Sequence, residues 1–221
     1  SFADCMPIRN ETGDIILFVT GECYFDRSTI DDLKQRNHSF DERNGSILVH
    51  LYEEAGDKFF ERLNGWFNGL LVDLRRKRVT LFNDRCGIRR IYYHENKNAF
   101  YFGSEAKSLL KILPEVLQMD PQSAGEYLVY DCVLENRTYF RNMWLLPAGS
   151  AWSFEKAHAE KNSYHDPARL ESLPKIPPES FFEEFCLTFD KILPRYFRGN
   201  GIGMSLTGGL DTRAIMASHI L

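Results

Sequence analysis

"GWFNGLLVDLRRKRVTLFNDRCG", residues 65–87, decides the fold. Two strand-forming runs, Trp66–Leu74 and Val79–Asn83, flank the charged segment Arg75–Arg78, and this order predicts an antiparallel hairpin with a solvated basic turn. The same pattern continues downstream. Arg90–His94 and Phe100–Gly103 read as further strands, joined by a turn at Glu95–Asn98. Upstream, Ile15–Val19 reads as a strand running to a turn at Gly21, and Ser28–Asp31 has the form of a helix start, a hydroxyl followed three residues later by an acid. A helix is expected through Leu48–Tyr52 to about Gly56, and a shorter one up to Leu63.

Beyond the strands, a helix runs from Ser104 to about Leu113, where Pro114 stops it. Another runs from Pro121 to about Tyr130, with Asp120 placed to cap it. Residues 145–154, "LLPAGSAWSF", read as a turn and a strand. Residues 1–157 therefore form an α+β domain built on antiparallel sheet. From His158 the composition changes to charges and prolines (Pro167, Pro174, Pro177, Pro178), which marks residues 158–178 as a linker. A helix from about Glu179 to Tyr196 and a short strand, Gly201–Leu206, then open a second domain of parallel α/β type over residues 179–221.

The chain of 221 residues, 43% hydrophobic and 14% aromatic, is long and apolar enough to bury a real core. Its net charge of −4 gives no electrostatic case for nucleic acid or a membrane surface. No run approaches the roughly 18 apolar residues of a membrane helix. Five cysteines, odd in number and without metal-ligand spacing, read as reduced thiols of a cytoplasmic protein. His50, in an apolar helical stretch, reads as a core histidine.

"SLTGGLDTR", residues 205–213, has the strand–loop–helix order of a phosphate-binding loop. Gly208 and Gly209 let backbone N–H groups approach an anion, and the following helix adds the positive end of its dipole. Ser205, Leu206, Thr207 and Thr212 complete the candidate ATP/pyrophosphate loop. Asp211, a carboxylate where phosphate is expected, fits as the ligand of a bridging Mg²⁺. The alternative is a plain glycine turn with a threonine-capped helix. No Gly-Lys-Ser/Thr is present, so the loop is not of the Walker type.

With that loop, "LNGWFNGLLVD" (63–73), "NDRCGIRRIYY" (83–93), "FGSEAKSLL" (102–110) and "LPAGS" (146–150) stand in the order and spacing of the asparagine synthetase family, which the chain resembles from about Met6 to Leu221. The resemblance implies a glutamine amidotransferase domain of N-terminal-nucleophile-hydrolase type, followed by the start of a Rossmann-like adenine-nucleotide α-hydrolase domain. It also implies their chemistry. A terminal cysteine releases ammonia from glutamine, and ATP with Mg²⁺ adenylates a carboxylate that the amine then converts to an amide.

The same resemblance marks departures. Thr20-Gly21-Glu22 stands where the family has Asn-Gly-Glu, so the oxyanion-hole amide is replaced by a hydroxyl. Asn44 stands where the family's acid holds the substrate ammonium. Only Gly21 and Glu22 match the pocket. The segment carrying the nucleophile is not in the sequence, Cys5 lies at an internal-loop position, and a terminal role for Ser1 is disfavoured against a chain break. No catalytic residue is therefore assigned to the first domain, and the chain is expected to be incomplete at both ends. Asp84, Arg85 and Gly87 read as a buried ion pair and turn. Ser104, Glu105 and Lys107 read as a helix cap and brace, and Arg213 is left open.

The resulting expectation is an ATP-dependent amide-forming ligase acting on a small carboxylate. Its donor is ammonia or an amine, with glutamine as an optional source and homodimerisation left open. The competing reading is a non-catalytic scaffold or regulatory relative.

Overall fold

The computed structural model describes residues 6–41, 45–156, 158–197, 202–205 and 208–220. The chain divides into two compact units, one of residues 1–23 and 30–166, the other of residues 24–29 and 167–221.

The first unit is built on a six-stranded antiparallel sheet: β1 (Ile8–Arg9), β2 (Ile15–Cys23), β3 (Gly65–Asp73), β4 (Arg78–Asn83), β8 (Ser150–Glu155) and β9 (His158–Ser163), in that spatial order. The hairpin that the sequence predicts is β3–β4, paired from Asn68↔Asn83 to Asp73↔Arg78. A second sheet holds β5 (Tyr92–Glu95) between β6 (Phe100–Gly103) and β7 (Trp144–Leu145).

Alternation along the strands decides what each face of the large sheet meets. Leu17 and Phe82 point to one face, where Phe82 packs against Phe59 and Phe60 with ring centroids 6.2 and 5.2 Å away. Those rings belong to α3 (Phe59–Arg62), which follows α2 (Ser46–Ala55). On the other face Leu81 joins Ile91, Leu146 and Trp152, and Trp152 meets Tyr93 of the small sheet edge-on at 5.1 Å. The unit is thus helices, large sheet and small sheet in layers.

α1 (Arg27–Gln35), α4 (Ala106–Ile112) and α5 (Pro121–Tyr130) complete the helices up to residue 166. α5 starts where Asp120 accepts from the Ser123 N–H at 3.0 Å and the Ser123 hydroxyl at 2.6 Å, the predicted cap.

Three expectations change here. The linker expected from residue 158 begins too early, because His158–Ser163 pairs with β8 from Glu155↔His158 to Ser150↔Ser163. Every side chain of β9 is exposed, so the strand is made by its backbone ladder and carries no apolar pattern to announce it. The basic turn is solvated at Arg75, Arg76 and Lys77 as expected, but not at its last residue. The Arg78 guanidinium is mostly buried, donates to Tyr52 Oη at 3.2 Å and pairs with Asp57.

The third concerns the tail. In the second unit α6 (Ala168–Glu171), α7 (Pro178–Ile192) and α8 (Leu210–Ile220) are helical, but residues 202–205 form no strand. Among the described residues no neighbouring strand lies there to pair with them, and an extended segment without a ladder is not a strand.

Candidate functional site

Thr20 and Glu22, one residue apart on either side of Gly21, project to the same side of β2, and both are exposed. Thr20 lines a cleft of about 360 Å³ with Phe18, Leu70, Phe102 and Ser104. The pairing Thr20↔Asn68 places a side-chain amide directly beside the threonine. That amide is occupied: Asn68 Nδ2 donates to the carbonyls of Arg89 at 3.4 Å and Arg90 at 3.1 Å. The Asn68 amide is therefore held by two backbone carbonyls. Asn44, the other pocket position, lies outside the described residues.

Gly21 is fixed by the close pairing of β2 with β3. Its φ is +110°, and a Cβ there would stand 2.1 Å from the Trp66 carbonyl oxygen. Gly65, two pairs along at φ +142°, would meet the Glu22 carbonyl oxygen at 2.0 Å. Two backbones cross here with no room for a side chain on either strand.

The Asp84 segment is a scaffold, but not through the expected ion pair. The buried Asp84 carboxylate accepts from the N–H groups of Cys86 (3.0 Å), Ile88 (3.1 Å) and Arg89 (3.0 Å). Arg85 points elsewhere and donates to the Glu61 carbonyl at 2.6 Å. The neighbouring Asn83 ties down the "LPAGS" turn, donating to Leu146 O at 3.2 Å and accepting from Ser150 N at 2.9 Å. Burial pushes the Tyr164 phenol well above its ordinary range, and its hydroxyl donates to Asn83 O. Nor does Ser104 cap α4. Glu105 holds that position without a side-chain cap bond, and its ion pair with Lys107 is exposed at both ends.

Cys23, next to the pocket residues, is no hidden nucleophile. Burial, reinforced by the Asp84 carboxylate, pushes its thiol up to about 12, so it stays protonated at neutral pH.

In the second unit Gly208 and Gly209 precede α8, and a Cβ at Gly208 would meet nothing within 4 Å. Ser205, Gly208, Gly209 and Asp211 are exposed, and Leu206 and Thr207 lie outside the described residues. Asp211 lines a hollow of about 580 Å³ with Phe189, Asp190 and Ala214. Thr212 Oγ1 is buried and has no hydrogen-bond partner among the described residues. Arg213, left open by the sequence, turns back on the loop and donates to the carbonyls of Gly208 and Gly209, each at 3.2 Å.

The family model described as "Glutamine amidotransferase domain" matches residues 3–165. The chain belongs to the glutamine amidotransferase family. An asparagine synthetase 2 (glutamine-hydrolysing) of Bacillus subtilis is 38% identical over 104 residues, 47% of this chain and 14% of that protein. The asparagine synthetase of Brassica oleracea is 27% identical over 221 residues, 97% of this chain and 32% of that protein. The chain thus spans at most about a third of the length of these curated relatives. Among solved structures, a glutamine phosphoribosylpyrophosphate amidotransferase of B. subtilis aligns over 72% of this chain and 31% of that one, at 12% identity and TM-score 0.47.

The amidotransferase match ends within two residues of the first unit's boundary at Asp166, so β9 lies inside it. The antiparallel sheets with helices expected of an N-terminal-nucleophile-hydrolase-like amidotransferase are the architecture found. Within that fold, "NDRCGIRR" and "LPAGS" hold each other through Asn83 and Asp84. The sequence did not single out Phe18, Phe102 or the tied amide of Asn68; only the strand register brings them to Thr20.

Proposed function

We propose that this chain is part of an ATP-dependent amide-forming ligase of the asparagine synthetase type whose amidotransferase unit does not hydrolyse glutamine. Thr20 carries the second half of that reading. Its hydroxyl reaches less far than an asparagine amide would, and the one amide paired with it already donates to Arg89 and Arg90. Loss of one oxyanion donor costs on the order of 10²–10³ in turnover. The donor is then free ammonia or an amine of the substrate itself.

In the ligase reaction a carboxylate oxygen attacks the α-phosphorus of ATP and pyrophosphate leaves. The amine nitrogen then attacks the acyl carbon, AMP departs with the bonding electron pair, and the amine's proton passes to solvent. Ser205, Leu206, Thr207, Gly208, Gly209 and Thr212 would hold the phosphates, and Asp211 would hold Mg²⁺. The partnerless Thr212 hydroxyl and the open space at Gly208 fit such a ligand. Bound Mg²⁺ would neutralise phosphate charge. Arg213 would keep the loop's carbonyls turned away from the anion. A cytoplasmic setting, with the described cysteines free, accords with this reading.

The test uses the natural polypeptide carrying this sequence. Glutamate release from glutamine should be absent. ATP–pyrophosphate exchange should depend on a small carboxylate and vanish in Asp211→Asn. Glutaminase turnover above background would sink the first claim, and exchange that survives Asp211→Asn would sink the second.

A further inference from the structure

We propose a divalent transition-metal site, best suited to Zn²⁺, formed by His38, His50 and Glu53. It lies in the first unit, on the helix layer, and is independent of the ligase reading. His50 and Glu53 are three residues apart on α2 and share one of its faces. His38 is delivered by the end of α1: Asn37 turns left-handed at φ +65°, and the His38 N–H donates back to Leu33 O at 3.1 Å.

Three ligand atoms converge. His38 Nδ1 lies 3.2 Å from His50 Nδ1, His50 Nδ1 lies 3.0 Å from Glu53 Oε2, and His38 Nδ1 lies 3.9 Å from Glu53 Oε2. A tetrahedral Zn²⁺ with ligands at about 2.0–2.1 Å spaces its ligand atoms about 3.3 Å apart. The three separations straddle that value, so one ion reaches all three atoms with only small side-chain shifts.

The surroundings match a metal-binding set. His38 Nε2 lies 2.9 Å from Glu54 Oε1 and His50 Nε2 lies 3.7 Å from Glu11 Oε1, so each ring presents its far nitrogen to a carboxylate. For His38 the hydrogen-bonded Glu54 carboxylate draws the ring proton to Nε2 and leaves the Nδ1 lone pair for a metal. Glu11, at 3.7 Å, is near enough to His50 Nε2 only for a longer-range attraction. The second oxygen of Glu53 accepts from Asn10 Nδ2 at 2.8 Å, and the second oxygen of Glu54 accepts from Arg36 Nη1 at 2.6 Å. The side chains of His50, His38 and Glu53 are only 4%, 16% and 19% exposed. Without a metal, two imidazole nitrogens and a carboxylate oxygen crowd one point where a neutral ring supplies a single proton. Three protein ligands leave a fourth position for water. The ion would clip the segment after α1 onto α2, on the sheet face opposite the Thr20 cleft.

The chelator-treated protein should bind one equivalent of Zn²⁺ in calorimetry. Co²⁺ in its place should give the strong visible bands of a four-coordinate ion. Because His50 is buried and its loss could unfold the helix layer, the informative variants are His38→Gln and Glu53→Gln. Each should weaken Zn²⁺ binding at least tenfold with the circular dichroism spectrum retained. Glu54→Gln, acting through His38, should weaken it about 10–100-fold, and His158→Gln on β9 should change nothing. Absence of stoichiometric Zn²⁺ binding, or binding that His38→Gln and Glu53→Gln leave unchanged, would overturn the site and leave a hydrogen-bonded cluster.

Discussion

Gly21 shows how narrowly a single position can be set. At φ +110° with a carbonyl oxygen where a Cβ would be, Gly21→Ala must both strain its own backbone and part β2 from β3. We expect a loss of at least about 3 kcal/mol, read as a lowered urea midpoint. An unchanged midpoint would mean that the crossing is looser than described. Cysteine reactivity follows the same local logic. At pH 8, iodoacetamide should modify the exposed Cys86 and Cys132 while Cys23 stays unmodified. The raised Cys23 value also bears on stability. Its contribution is fully present below the unfolded thiol's value near 9, and it is lost as pH rises from there toward about 12. Cys23→Ala should flatten that alkaline decline in a series of thermal melts.

Elements differ in how plainly they announce themselves. α5 is found over the residues expected, because Asp120 and Pro121 write its start in local chemistry. Asp120→Ala should cost about 1 kcal/mol, a shift that chemical denaturation resolves. β6 is likewise found at Phe100–Gly103. β9 was illegible because a strand formed by its ladder alone needs no apolar alternation, and residues 202–205 misled because, among the described residues, no neighbouring strand pairs with them. The turn after β3 has its own pH signature. The Arg78 guanidinium holds the Asp57 carboxyl below its usual range, against the opposing effect of partial burial. A depressed carboxylate stabilises above its unfolded value near 4 and ceases to as pH falls through the folded one. Asp57→Asn should therefore soften the acid limb of the stability profile below about pH 4, and an unaltered limb would show the pair to be inert.

Across the whole molecule, the first unit depends on one aromatic junction. Phe82 meets Phe59, Phe60 and Phe67, joining the helix layer to the large sheet. Phe82→Ala should cost about 3–5 kcal/mol, enough to consume much of the stability of an ordinary domain, and differential scanning calorimetry would register it. The candidate sites were legible unevenly at this scale. Motifs contiguous in sequence, such as Thr20–Glu22 and Gly208–Thr212, could be found by eye. Asn68 could not, because its amide matters only through a strand register and two distant carbonyls, and neither could the meeting of His38 with His50.

The outermost strand of the large sheet has a consequence for life in a crowded solution. β9 ends the sheet in the order β1-β2-β3-β4-β8-β9, and it carries His158, Glu160 and Lys161 with no apolar side chain larger than Ala159. Charged side chains there make the open ladder a poor template for a second copy. Lys161, lying 4.8 Å from the centre of the Trp152 ring, also covers that core aromatic with a charged side chain. The strand is a gatekeeper against fibre-like association, and replacing the exposed Glu160 by valine would weaken the guard without reaching the core.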